Sequence, residues 1–132
     1  MKMTKQQHID YWLKNADRDW VRAENCFKQK DYVFCLFCLH MSLEKICKTL
    51  WVKENKSNTP PKIHDLVKLL HQSNIELPNE DLMFMLEMNT YQLEGRYPDY
   101  HDKIYRITKR NNAKSIFEKC QQLKEKLQSL LP

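Results

Sequence analysis

Residues 31–53 read DYVFCLFCLHMSLEKICKTLWVK, and this stretch decides the fold. Leu36, Leu39, Leu43, Ile46 and Leu50 recur at steps of three, four, three and four residues, the spacing of one helix face. Val33, Phe34, Phe37, Met41 and Trp51 make the first half apolar on almost every side. A helix that is apolar all round lies buried among others. Tyr32 to Lys53 is therefore expected to be the central helix, with Asp31 ahead of it as N-cap.

Working outward toward the N-terminus, Ile9, Trp12, Leu13, Ala16, Trp20, Ala23 and Phe27 form one face of a long amphipathic helix from about Gln6 to Lys28. Lys14, Asp17, Arg18, Asp19, Arg22 and Glu24 fall on its other faces. The break at Gln29-Lys30-Asp31 is short enough to make the two helices antiparallel neighbours. Toward the C-terminus, the polar loop Glu54 to Pro61 ends in two prolines, which stop one helix and can begin another. Leu66, Val67, Leu69 and Leu70 mark a short third helix, and Ser73 to Asn79 a second loop. A fourth helix is expected from about Glu80 to Leu93, with Leu82, Met85, Leu86, Asn89 and Leu93 on one face. Gly95 stands where a left-handed C-terminal cap belongs, and Pro98 blocks continuation. Ala113, Ile116, Phe117, Cys120, Leu123, Leu127 and Leu130 define a last amphipathic helix. The pattern predicts an all-α fold, an up-and-down antiparallel bundle of four long helices plus a short third one, five in total, as one domain over 1–132.

Composition agrees with that class. One glycine among 132 residues, 42% hydrophobic and 30% charged, describes a helix-rich globular chain. The longest apolar run, Tyr32 to Leu39, is too short to span a membrane, and Met1 to Gln7 lacks the pattern of a signal peptide. Five cysteines without framework spacing predict reduced thiols and a cytoplasmic location. The net charge of +5 is localised: residues 96–132 hold 9 basic and 4 acidic side chains, whereas residues 1–95 are formally neutral. Between Lys103 and Phe117 lie Lys103, Arg106, Lys109, Arg110 and Lys114 with no acidic residue. Such a patch suits a polyanion, whose bound counterions are released on contact; a solvated helix face is the plainer alternative.

Several residues carry candidate chemistry. Cys35 and Cys38 have metal-ligand spacing, but they lie in the most apolar helix without a matching second pair, so they are expected to be core thiols and no metal site is assigned. His40 is expected to be a hydrogen-bonded core histidine. His64 and Asp65 are adjacent, and adjacent helical residues point about 100° apart, so a capping or packing role is favoured over a base with its orienting carboxylate. His8 and His71 carry no signal. Arg96 and His101 differ, because both are expected in a loop that opens onto the basic segment. Arginine's rigid fork matches phosphate oxygens, and histidine can move a proton near neutral pH. Together they could hold a phosphodiester and assist attack by a neighbouring 2′-hydroxyl without a metal or other cofactor. Tyr97, Tyr100 and Tyr105 add aromatic faces for stacking bases, with packing onto the bundle as the alternative. Asp99, Lys103, Arg106, Lys109 and Arg110 complete the expected substrate-binding set.

Four stretches in the right order resemble the HEPN domain, a helical family of higher eukaryotes and prokaryotes named for nucleotide binding. They are Tyr11-Trp12-Leu13 to Ala16 with Asp19 and Ala23-Glu24; His40-Met41-Ser42-Leu43-Glu44-Lys45 with Lys48; Pro60-Pro61 leading to His64-Asp65-Leu66 and Leu69-Leu70; and Arg96-Tyr97-Pro98-Asp99. The resemblance implies a four- to five-helix bundle, commonly a homodimer whose motif loops meet in one cleft. It implies a metal-independent endoribonuclease in which Arg96 holds the scissile phosphate and His101 is general acid or base. Members of this kind are often toxins paired with a minimal nucleotidyltransferase antitoxin. Others are non-catalytic nucleotide-binding modules that assist such a transferase, and that is the alternative here. Ribonuclease members usually have a small polar residue after the arginine, where this chain has Tyr97. Paired toxins often have tyrosine two residues after the histidine, where this chain has Lys103.

Overall fold

A computed structural model of the chain describes residues 2–94 and 96–131. Among them are six helices and no strand: α1 (Lys5–Lys28), α2 (Tyr32–Glu54), α3 (Leu66–Gln72), α4 (Asn79–Asn89), α5 (Pro98–Ile107) and α6 (Arg110–Gln128). None is long and apolar enough to cross a membrane.

The fold is all-α, as the periodicity predicts, and α2 is its centre. Leu36, Leu39, Leu43, Ile46 and Leu50 are all fully buried. Truncating any of them to alanine would cost about 2–5 kcal/mol. α1 lies along α2 through Ala16 and Ala23, whose small side chains let the two backbones approach; Ser42 Oγ donates to the Ala16 carbonyl at 2.8 Å. The Lys5 ammonium donates to the carbonyls of Val52 and Asn55 at 2.6 and 2.7 Å, tying the start of α1 to the end of α2. The pair is therefore antiparallel. Between them Lys30 takes φ 64°, a left-handed position that glycine usually fills, and Asp31 N–H closes the helix end on the Cys26 carbonyl at 2.9 Å. Asp31 caps α2 as expected, accepting from Phe34 N–H. On α6, Ala113, Ile116, Cys120, Leu123 and Leu127 are buried, and Phe117 meets Trp20 and Phe27 edge-on.

Five expectations need correction. The helix count is six, because residues 98–107 form a helix of their own. Pro98 begins it instead of blocking α4: at the first helical position its missing N–H costs nothing, and Tyr97 is the N-cap. α5 and α6 are separated by Thr108 and Lys109 in extended conformations, and α6 starts where Lys109 N–H donates to Asn112 Oδ1 at 2.6 Å. α4 ends at Asn89 and not Leu93, with the Thr90 hydroxyl turned back to the Glu87 carbonyl at 2.6 Å. Its buried residues are Met85 and Met88, whereas Leu86 is exposed. Asp19, placed by periodicity on a polar face, is fully buried and paired with Lys45 and Arg22. The cap expected at Gly95 lies outside the described residues.

Candidate functional site

A continuous polar network runs from α2 to the segment joining α4 and α5. Lys48 Nζ lies 3.1 Å from Glu44 Oε2, and both side chains are buried. The other Glu44 oxygen meets His64 Nδ1 at 2.7 Å. Nε2 of the same ring faces Glu94 Oε2 at 3.1 Å. Glu94 N–H donates to Gln92 Oε1 at 2.9 Å, and Gln92 Nε2 approaches His40 Nδ1 at 3.5 Å. His40 Nε2 reaches Asn89 Oδ1 at 3.3 Å. Asn89 in turn accepts from Leu66 N–H at 3.1 Å and donates to Asp65 at 3.0 Å, so it pins the start of α3.

The protonation pattern of His40 follows from its neighbours. Asn89 Oδ1 already accepts from a backbone N–H, so the His40 Nε2 facing it is the donor. Gln92 Oε1 accepts from Glu94, which leaves its amide nitrogen to donate to His40 Nδ1. His40 is a neutral, fully buried imidazole with both nitrogens used. Burial lowers its pKa, outweighing the nearby Glu44 carboxylate and the Asn89 bond. The core-histidine expectation is met.

Arg96 and His101 hang on consecutive peptide units. Arg96 Nε donates to the Gln92 carbonyl at 3.3 Å, and His101 Nε2 donates to the Leu93 carbonyl at 3.1 Å. The Arg96 guanidinium stacks 4.8 Å over the Tyr100 ring, whose hydroxyl is tied to the Thr90 carbonyl. The Nε bond and the Tyr100 ring hold the guanidinium, and among the described residues neither terminal nitrogen makes a hydrogen bond. Arg96 is exposed and in the connecting segment; His101 is half-buried on α5, not in a loop as the residue pattern suggested.

A polar pocket of about 400 Å³ is lined by His64, Asp65, Asn89, Gln92, Glu94 and Arg96. His101 borders the same segment through Leu93 but does not line the pocket. Tyr97 caps α5 and is 79% exposed, Asp99 is exposed in the first turn, and Tyr105 is exposed farther along. Lys103 and Arg106 are exposed on α5, at two and five residues from His101. At 100° per residue they stand roughly on the opposite side of α5 from that ring. Lys109 is at the α5–α6 junction, and the Arg110 guanidinium lies 5.7 Å from the Phe27 ring. Arg96, Tyr100 and His101 thus share the segment between α4 and α5, while the basic residues are exposed elsewhere on α5 and at the start of α6.

Cys35 and Cys38 are buried thiols pushed up to about 12 by burial, and Cys47 and Cys120 are raised further by the same cause. Among the described residues no group of three His, Cys, Asp or Glu side chains is arranged to hold a metal ion. Glu44 and Glu94 sit on opposite nitrogens of His64 and do not converge on a point. The residue pair missed from sequence is Glu44–His64. Asp65 takes the capping role, accepting from Val67 and Lys68 N–H, and frees His64 for the pocket. Twenty residues separate His64 from Glu44, and no local spacing links them.

These features define an all-helical bundle that presents a stacked guanidinium and two histidines around one inter-helix segment. The chain matches the family model of the HEPN domain over residues 9–130, and it belongs to that family. The family places it among proteins of nucleotide- or RNA-related function. Neither a curated protein nor a solved structure matches it.

Proposed function

We propose that the protein is an RNA-binding endoribonuclease that works through Arg96 and His101. The observation that carries this reading is the pair of bonds to the consecutive carbonyls of Gln92 and Leu93. They hang a guanidinium, whose terminal nitrogens make no hydrogen bond among the described residues, and an imidazole of defined tautomer on one short segment. Arg96 binds the scissile phosphate through that fork and offsets charge that develops on it. A carbonyl can only accept, so His101 carries its proton on Nε2 and keeps Nδ1 as the proton acceptor. Nδ1 takes the 2′-hydroxyl proton as that oxygen attacks phosphorus. Lys103, Arg106, Lys109 and Arg110 track the flanking backbone, and exposed Tyr97 and Tyr105 stack bases. The protein acts as a homodimer and as the toxin of a pair with a minimal nucleotidyltransferase. Incubation of single-stranded RNA with the protein in chelator tests the activity: products ending in 2′,3′-cyclic phosphate support it, and intact RNA overturns it.

The carboxylates of Asp65 and Glu94 beside Arg96 favour a second reading, a non-catalytic nucleotide-binding module assisting a separate nucleotidyltransferase. They would repel a polyanion more than a small nucleotide. Nucleotide binding and co-purification of the transferase without RNA turnover would distinguish it.

A further inference from the structure

RNA cleavage by attack of the 2′-oxygen needs two proton transfers, and each Arg96–His101 pair accounts for one. Nδ1 of His101 receives the proton of the nucleophile. The departing 5′-oxygen still needs a donor, and the pocket that Arg96 lines contains another imidazole.

We propose that His64 is that general acid, a role that rests on the ribonuclease reading above. Its Nδ1 is 2.7 Å from Glu44, a carboxylate only 6% exposed whose other oxygen is paired with Lys48. A buried carboxylate on one nitrogen fixes the ring plane and directs the other nitrogen outward, the arrangement of a base or acid with its orienting partner. The outward nitrogen, Nε2, opens on the pocket that holds Arg96, and the His64 side chain is 45% exposed. The ring is held from behind and free in front.

The group now facing Nε2 is also informative. Glu94 brings a carboxylate oxygen to 3.1 Å from it, on a side chain that is 61% exposed. This anion occupies the place a phosphate-ester oxygen would take, and its exposure lets a substrate displace it. Of the other titratable groups in or behind the pocket, Asp65 is committed to capping α3. Lys48 is buried behind Glu44, and His40 has both nitrogens engaged. His64 is the proton-transfer group with an open face.

Every proton and bond of the step is accounted for. The 2′-oxygen attacks phosphorus and gives its proton to His101 Nδ1. The bond from the 2′-oxygen to phosphorus forms as the bond from phosphorus to the 5′-oxygen breaks. The 5′-oxygen takes the proton that His64 Nε2 otherwise directs at the Glu94 carboxylate, which leaves a 2′,3′-cyclic phosphate and a 5′-hydroxyl. Exchange with water returns each histidine to its starting state.

The test uses a single-stranded RNA oligonucleotide and a counterpart in which sulfur replaces the 5′-bridging oxygen at the linkage the wild type cuts. A thiolate leaves without a proton, so it bypasses a missing acid. His64→Ala is expected to cut the oxygen strand about 10²–10⁴-fold more slowly than wild type and the sulfur strand within a few-fold of it. His101→Ala is expected to be slow on both. Rescue by sulfur also shows that the variant is folded. Wild-type rates for His64→Ala on the oxygen strand, or equal slowing on both strands, would overturn the role of His64 and leave the ribonuclease standing. A wild-type protein that cuts neither strand overturns the ribonuclease reading and this inference with it.

Discussion

His101 donates through Nε2 to the Leu93 carbonyl at 3.1 Å, and in the proposed mechanism that bond selects Nδ1 as the working nitrogen. Replacement by alanine removes the proton acceptor but leaves the bundle core untouched. RNA cleavage by His101→Ala is expected to fall about 10²–10⁴-fold. Thermal unfolding followed by circular dichroism should shift little, since the ring is half-buried at the edge of the fold.

Arg96 and the exposed basic residues should separate in their effects. Arg96→Lys keeps a charge but loses the planar fork stacked on Tyr100, so turnover should drop while RNA affinity changes modestly. Lys103→Ala and Arg106→Ala should weaken RNA binding and reduce the salt dependence, by about 0.7 in log–log slope per charge removed. Their turnover at saturating RNA should match wild type. Filter binding across a salt series, together with single-turnover cleavage, checks both.

His40 makes stability depend on pH. Its folded pKa is lowered by burial, so below the ordinary histidine value near 6.5 the unfolded chain binds a proton that the folded one refuses. Its contribution is fully present above that value and is lost as pH falls toward the folded pKa. Denaturant midpoints measured from pH 8 to pH 5 should fall for wild type. The fall should be smaller for His40→Gln, whose side chain does not titrate.

Asp19 is an anchor for charge inside the bundle. Asp19→Ala would leave the Lys45 ammonium, itself mostly buried, without its partner across the α1–α2 interface. A loss of about 3 kcal/mol is expected. Urea unfolding measures it, and a change under 1 kcal/mol would show that Lys45 escapes to water.

The cysteines should react in two classes. Burial raises all five thiols, but Cys26 is half-buried, whereas Cys35, Cys38, Cys47 and Cys120 are buried. Thiol titration of the native protein near pH 8 should show one accessible group, and denaturant should expose the other four.

The central helix was legible in the sequence because every one of its seam positions obeys a single local period. α1 and α6 were legible for the same reason. Asp19 was not, because a helix face tolerates one buried carboxylate only when a cation from another helix meets it, and Lys45 is 26 residues away. α5 was hidden by Pro98, which is compatible with both ending a helix and starting one. The site was half legible. Arg96 and His101 stood out by type and spacing, but the Glu44–His64 pair is created by the packing of α3 against α2. Asn89, expected on an apolar face, instead joins that packing by holding the α3 start.

The light seating of α5 has a kinetic consequence. Ile104 is the only buried side chain on that helix, and a helix of 10 residues has little stability of its own. Its amide protons should therefore exchange through openings far smaller than global unfolding, while those of α2 wait for the whole bundle to open. His64 is built on the slow-exchanging side and His101 on the fast one. One imidazole is therefore fastened to the central helix through Glu44, and the other rides on a helix that a single buried side chain holds down.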